Sequence, residues 1–221
     1  MAATKKKPGK RSPRVRAWVY GVLNALIDAL EREHDFLSRG NLTWRHYSGR
    51  AEYILLPEEY LDPAGQTNLE DVENYYPEVK SALQTHRQLL TAARDAAATA
   101  HKSLVQDSAF HAAVTREIDR YKVAKPSAPY LSESPDAILR LAAERVVNEI
   151  RDLPDHYTDA DFWNFAATAL TTFSSSEIPA RARVAREALA QHTVELVQLL
   201  RELRTRLCDD FDIPPAPWPA Y

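Results

Sequence analysis

Eight positions on one stretch limit what this chain can fold into: Val79, Leu83, His86, Leu90, Ala93, Ala97, Ala100 and Leu104 follow one another at alternating steps of four and three residues. That spacing turns one narrow stripe of an α-helix toward a neighbouring helix. Alanines in the middle of the stripe predict a close approach of two backbones, since no long side chain holds them apart. Long packed helices are therefore the expected framework.

The rest of the chain agrees with a helical fold. Of 221 residues, 45% are hydrophobic and 27% charged, enough apolar material for one domain with a substantial core. With only 5 glycines, and with 14 prolines gathered at segment boundaries and in the last residues, helix is favoured over sheet. The expected fold is all-α: an elongated bundle of about six to eight helices, two or three of them long, with antiparallel coiled-coil-like packing.

Start and stop signals divide the chain. Ser12 and Pro13 open a first helix that should run to Arg39, with Gly40 as its stop. Its apolar face carries Val15, Trp18, Val22, Leu26 and Leu30. A second helix is expected from Thr43 to Leu56. Pro57 to Gln66 reads as a bend with Pro63 and Gly65 as breakers, and Asn68 as the cap of a short helix through Tyr75. Pro77 opens the seam helix, which ends near Gln106 or continues with a kink to Lys122; Asp107 is placed to cap a new helix. Ser134–Pro135 starts a helix to Leu153, Thr158 caps another to Phe173, and the last runs from about Pro179 to Phe211. The resulting plan is a basic tail over 1–12, an N-terminal helical region over 13–123, a linker over 124–135, further helices of the same bundle over 136–212, and a proline-rich tail over 213–221.

Charge is unevenly distributed. Residues 1–16 hold seven basic side chains and no acid, leaving 21 basic against 31 acidic residues in the remainder, a net of −10. Lys5, Lys6, Lys7, Lys10 and Arg11 are the candidate contacts to nucleic-acid phosphates; a solvated, solubilising tail is the simpler reading. No apolar run approaches the ~18 residues that cross a bilayer, so no membrane role is expected. No hydrophobic stretch follows the basic start, which points to the cytoplasm. A lone cysteine, Cys208, excludes an internal disulfide.

Chemical signatures are sparse. Arg151 and His156 have the four-residue gap used by HEPN-type ribonucleases, which are themselves small helical bundles. The same motif recurs at Arg94–His101 and Arg39–His46, about as often as chance supplies, and Pro154 interrupts the best of them. Glu31 and His34 make one Glu-x-x-His, where a di-iron bundle needs two. His34, His86 and His192 recur on apolar seams and are the candidate metal ligands if their helices converge. Asp155, Asp159 and Asp161 sit where a helix start favours carboxylates. No motif calls for a cofactor.

Partner-binding residues are expected at Trp44 and Arg45, in the segment NLTWRHY, and at Trp218 and Tyr221 on the stiff tail PPAPWPAY. The function these features suggest is a non-enzymatic helical scaffold or accessory subunit. It would bind a protein partner or a second copy of itself, in a bacterial nucleic-acid-handling or defence complex. The alternative is a small nucleic-acid-binding protein or HEPN-like ribonuclease.

Overall fold

The structure, a computed structural model, describes residues 12–38, 43–45, 51–53, 55–127, 134–148 and 160–214. The fold is an all-α helical bundle. Its elements are α1 (Pro13–Arg16), a π-helical segment (Ala17–Leu23), α2 (Asn24–Ser38), β1 (Thr43–Arg45), β2 (Ala51–Tyr53), a 3-10 turn (Pro57–Tyr60), α3 (Pro63–Tyr75), α4 (Pro77–Gln106), α5 (Ser108–Ala124), α6 (Pro135–Val147), α7 (Ala160–Thr171), a second 3-10 turn (Thr172–Ser175) and α8 (Glu177–Phe211).

Three expectations need correction. The helix expected from Thr43 to Leu56 is absent: β1 and β2 pair antiparallel there, Thr43 opposite Tyr53 and Arg45 opposite Ala51. Thr, Trp and Tyr favour extended backbone, and this preference outweighs a short apolar periodicity. Pro63 and Gly65 do not break a helix but start one. Asp62 caps α3, its Oδ1 accepting the Gly65 N–H at 2.7 Å, with Pro63 in the first turn. A Cβ on Gly65 would lie 3.1 Å from that same oxygen and from Leu61 Cβ, so glycine makes room for the cap. The first helix is also not uniform. It contains the π segment, which the amphipathic pattern does not announce, and Ser12 makes no side-chain cap bond.

The start of α5 and the start of α6 fall where the sequence places them, and the end of α6 does not. α4 ends at Gln106, and Asp107 Oδ1 accepts the Phe110 N–H at 2.7 Å to start α5. Ser134 Oγ accepts the Ala137 N–H at the start of α6. α6 closes at Val147 with Asn148 as its C-cap, short of the expected Leu153.

The chain divides into two compact units, one of residues 1–35, 54–90 and 189–221, the other of residues 36–53 and 91–188. In the first unit the core joins Val15, Trp18, Leu26 and Leu30 to Leu69 and Val72 of α3, Val79 and Leu83 of α4, and Leu196, Leu200, Leu203 and Leu207 of α8. Arg87 ties this unit's periphery together through Glu58, at 3.0 Å, and Glu73, at 2.9 Å. Burial alone would lower the Arg87 guanidinium; the bonds to Glu73 and Glu58 overcome it and hold the group above its ordinary value. Beyond α8, Asp212 takes a positive φ of 52°, a conformation that aspartate tolerates better than most residues. Ile213 then drops into the core, and the Tyr20 hydroxyl donates to the Pro214 carbonyl.

The second unit has an aromatic core. Phe110 and Phe173 meet edge to face at 5.0 Å, Tyr121 and Phe162 at 5.4 Å, and Phe162 and Trp163 at 4.8 Å. Ala100 and Leu104 of α4, and Ile138, Ala142 and Val146 of α6, complete it. Two buried arginines serve this unit. Arg186 donates to the Val147 carbonyl at 3.2 Å, satisfying an acceptor at the C-terminal end of α6, and Arg145 lies over the Trp163 ring.

Of the eight seam positions on α4, all but Ala97 are buried, and Ala97 is half-buried. Ala100→Leu should therefore cost ~1–3 kcal/mol by overpacking the second core. Ala97→Leu should cost less. Urea denaturation of the two variants checks the order; equal losses would place Ala97 inside the packed seam.

Candidate functional site

Two places in the structure concentrate polar groups in ways that packing alone does not require. The first is a buried polar layer in the first unit, built from α2, α4 and α8. Glu33 of α2 and His86 of α4 have fully buried side chains, with Glu33 Oε1 3.2 Å from His86 Nε2. The contact is close but off the line of a hydrogen bond, and among the described residues neither ring nitrogen of His86 nor Glu33 Oε2 has a hydrogen-bond partner. Thr193 of α8 donates its hydroxyl to Glu33 Oε1 at 3.1 Å, and to the Leu189 carbonyl at 2.8 Å in an alternative orientation of the same proton. The His192 ring stacks on His86 at 6.0 Å. His192 Nε2 lies 3.0 Å from the Ala82 carbonyl. A carbonyl only accepts, so this nitrogen carries the proton and is committed to the backbone.

Two of the three histidines expected on the apolar seams are thus brought together, His86 and His192. The third, His34, is half-buried on α2; its neighbour Glu33 is the α2 residue that reaches His86. Among the described residues no group of three or more His, Cys, Asp or Glu side chains is arranged to hold a metal ion. The layer ties three helices together through polar contacts. Glu33 and Thr193 are the members that sequence reading misses; for Glu33 the one signal is its position within the apolar run of the first helix.

The second place is an open groove of about 930 Å³ in the second unit, along α5 and against Phe165 of α7. Phe165 packs edge to face on Tyr121 at 5.6 Å, which fixes the ring at the groove wall. Arg120 lies over that ring, its Cζ 5.6 Å from the centroid. Its Nη1 is held by both carboxylate oxygens of Glu117, at 2.9 and 2.8 Å. The Glu117 side chain is only 5% exposed, whereas that of Arg120 is 61% exposed. A buried carboxylate thereby steers an exposed guanidinium onto an aromatic face. Arg116, one turn earlier, and Asp119 complete the polar rim, and Val123, 83% exposed, supplies an apolar surface.

A smaller depression on α8 of the first unit is lined by Arg201, Glu202, Arg206 and Asp209 among others. Its arginines are already engaged: Arg201 pairs with Glu31, and Arg206 pairs with Glu78 and lies over Tyr76. Cys208, on the same helix, packs partly buried against the first core. Burial raises its thiol above the ordinary value, although the Arg204 guanidinium pulls the other way. Such a thiol is a poor nucleophile.

Most of the remaining sequence candidates fall where no side chain is described. Trp44 and Arg45 lie on β1, where only the backbone is described. Arg151, His156, Lys5, Lys6, Lys7, Lys10, Arg11, Trp218 and Tyr221 lie outside the described residues, as do Asp155 and Asp159. Asp161 is described: its carboxylate pairs with Lys125 at 3.1 Å, an exposed contact at the start of α7. No helix among the described residues is long and apolar enough to cross a membrane. Comparison of the chain with protein-family models, with curated proteins and with solved structures finds no match in any of the three.

Two outcomes follow from this geometry. His86→Leu leaves Glu33 buried without its imidazole and should lower stability by ~3–5 kcal/mol, whereas the double change Glu33→Leu with His86→Leu should recover most of that loss. Urea unfolding of the two variants at neutral pH measures both. Alkylation of Cys208 by iodoacetamide at pH 8 should be much slower in the native chain than in urea; equal rates would mean an exposed, unperturbed thiol.

Proposed function

We propose that this chain is a non-enzymatic helical subunit that binds a protein partner, and that the α5–α7 groove of the second unit is where the partner docks. The observation that carries the reading is the Arg120–Phe165 stack beside the exposed Val123. Arginine and aromatic side chains at a partly desolvated site are the residue types that dominate interface energies. Preorganisation adds to this, because the buried Glu117 and the packed Phe165 restrict the guanidinium before a partner arrives. An open groove also suits an extended or helical segment better than a small metabolite, which enclosed apolar cavities favour.

Photo-crosslinking tests the proposal. A benzoylphenylalanine at position 123 should form a protein adduct in cells, and Arg116→Glu should abolish it. The same group at position 194, an exposed valine on α8 of the first unit, should form no such adduct. Equal yields from both positions, or adducts to RNA, would reject the groove as a protein-docking site.

A further inference from the structure

The chemistry of the groove specifies its occupant more narrowly, granted the reading of the groove as a partner site. Arg120 commits only Nη1 to Glu117, so Nη2 and Nε make no hydrogen bond among the described residues. That edge of the guanidinium is the one shaped for two parallel bonds to a carboxylate. Arg116 stands one turn away on the same face of α5 and makes no ion pair among the described residues. An acid seated here would meet two guanidiniums. An apolar side chain beside it would cover Val123 and the exposed part of the Phe165 ring.

We infer that the groove captures a short acidic–apolar protein segment, one carboxylate on the free edge of Arg120 and an adjacent apolar side chain on Val123 and Phe165, with Glu117 as the positioning residue. Charge favours a carboxylate over a phosphate backbone. The groove's lining sets Arg116 and Arg120 against Asp119, and Arg120 is already bound through Nη1 to Glu117, so the unsatisfied positive charge sits at one place and does not form the run of cations that a nucleic-acid strand follows. The one preorganised cationic edge matches a single acid.

Panning a phage library of random 12-residue peptides on the full chain, then measuring fluorescein-labelled winners by anisotropy, tests this. Enriched peptides should share an Asp or Glu next to Leu, Ile or Phe. Arg120→Gln should weaken them at least about tenfold, with Arg120→Lys between. Val123→Glu should weaken them comparably. Glu117→Gln should weaken them too, and its effect should not add to that of Arg120→Gln, since both act through one guanidinium; a merely structural Glu117 would give additive losses. Urea midpoints of all variants separate lost binding from lost folding. Peptides sensitive to Val123→Glu but indifferent to Arg120→Gln would overturn the carboxylate assignment and leave the groove standing. Peptides indifferent to Val123→Glu, or no enrichment, would overturn both. A labelled 20-nucleotide polyuridine that binds the chain and is lost in Arg120→Gln, with no peptide selected, would replace the protein segment by nucleic acid.

Discussion

Everything in the first unit has to accommodate a Glu33–His86 pair sealed among leucines. Taking a carboxylate and an imidazole out of water costs several kcal/mol per ion before any attraction is counted. The mutual approach at 3.2 Å and the Thr193 hydroxyl offset part of that cost. Glu33 Oε2 and the two His86 ring nitrogens have no protein hydrogen-bond partner among the described residues. The surrounding apolar contacts of Leu26, Leu30, Leu83, Leu196 and Leu200 must therefore supply the surplus. A polar layer of this kind favours one mutual placement of α2, α4 and α8, because any other leaves Glu33 buried without partners.

The second unit solves a different problem by a different means. Its core rests on aromatic rings meeting edge to face, with buried arginines answering carbonyls and rings. Those rings also shape the surface. Tyr121 holds Phe165 from inside, Phe165 carries Arg120 outside, and Glu117 holds Arg120 from below. The groove is thus an outward continuation of the core, and its side chains are restrained by packing in the way that a recognition surface needs.

The two polar places differ in what they can do. In the first unit's layer the side chains of Glu33 and His86 are closed off from solvent and bear on helix placement. In the second, burial of one carboxylate leaves an exposed guanidinium with donors to spare. The docking proposed above rests on the second arrangement, where a restrained charge stands at the surface next to apolar side chains.

Several features could be read from the chain alone, because they depend on interactions a few residues apart. Asp107 and Ser134 announce helix starts by local cap chemistry, and the stripe from Val79 to Leu104 announces a buried helix face by its period. Asp62–Pro63 obeys the same local grammar and was masked only by the breaker reputation of Pro63 and Gly65. The pairing of Thr43–Arg45 with Ala51–Tyr53 is not legible in the sequence because strand pairing is settled between residues that short-range periodicity does not compare. The polar layer and the groove are settled at longer range still. Glu33 meets Thr193 across 160 positions of chain, and Phe165 meets Arg120 across two helices separated in sequence. No local rule marks Glu33 as buried or Arg120 as restrained. Helix content and helix starts follow from the sequence because backbone hydrogen bonds and caps are local. Which charges are sealed inside and which are left outside depended on how distant helices packed.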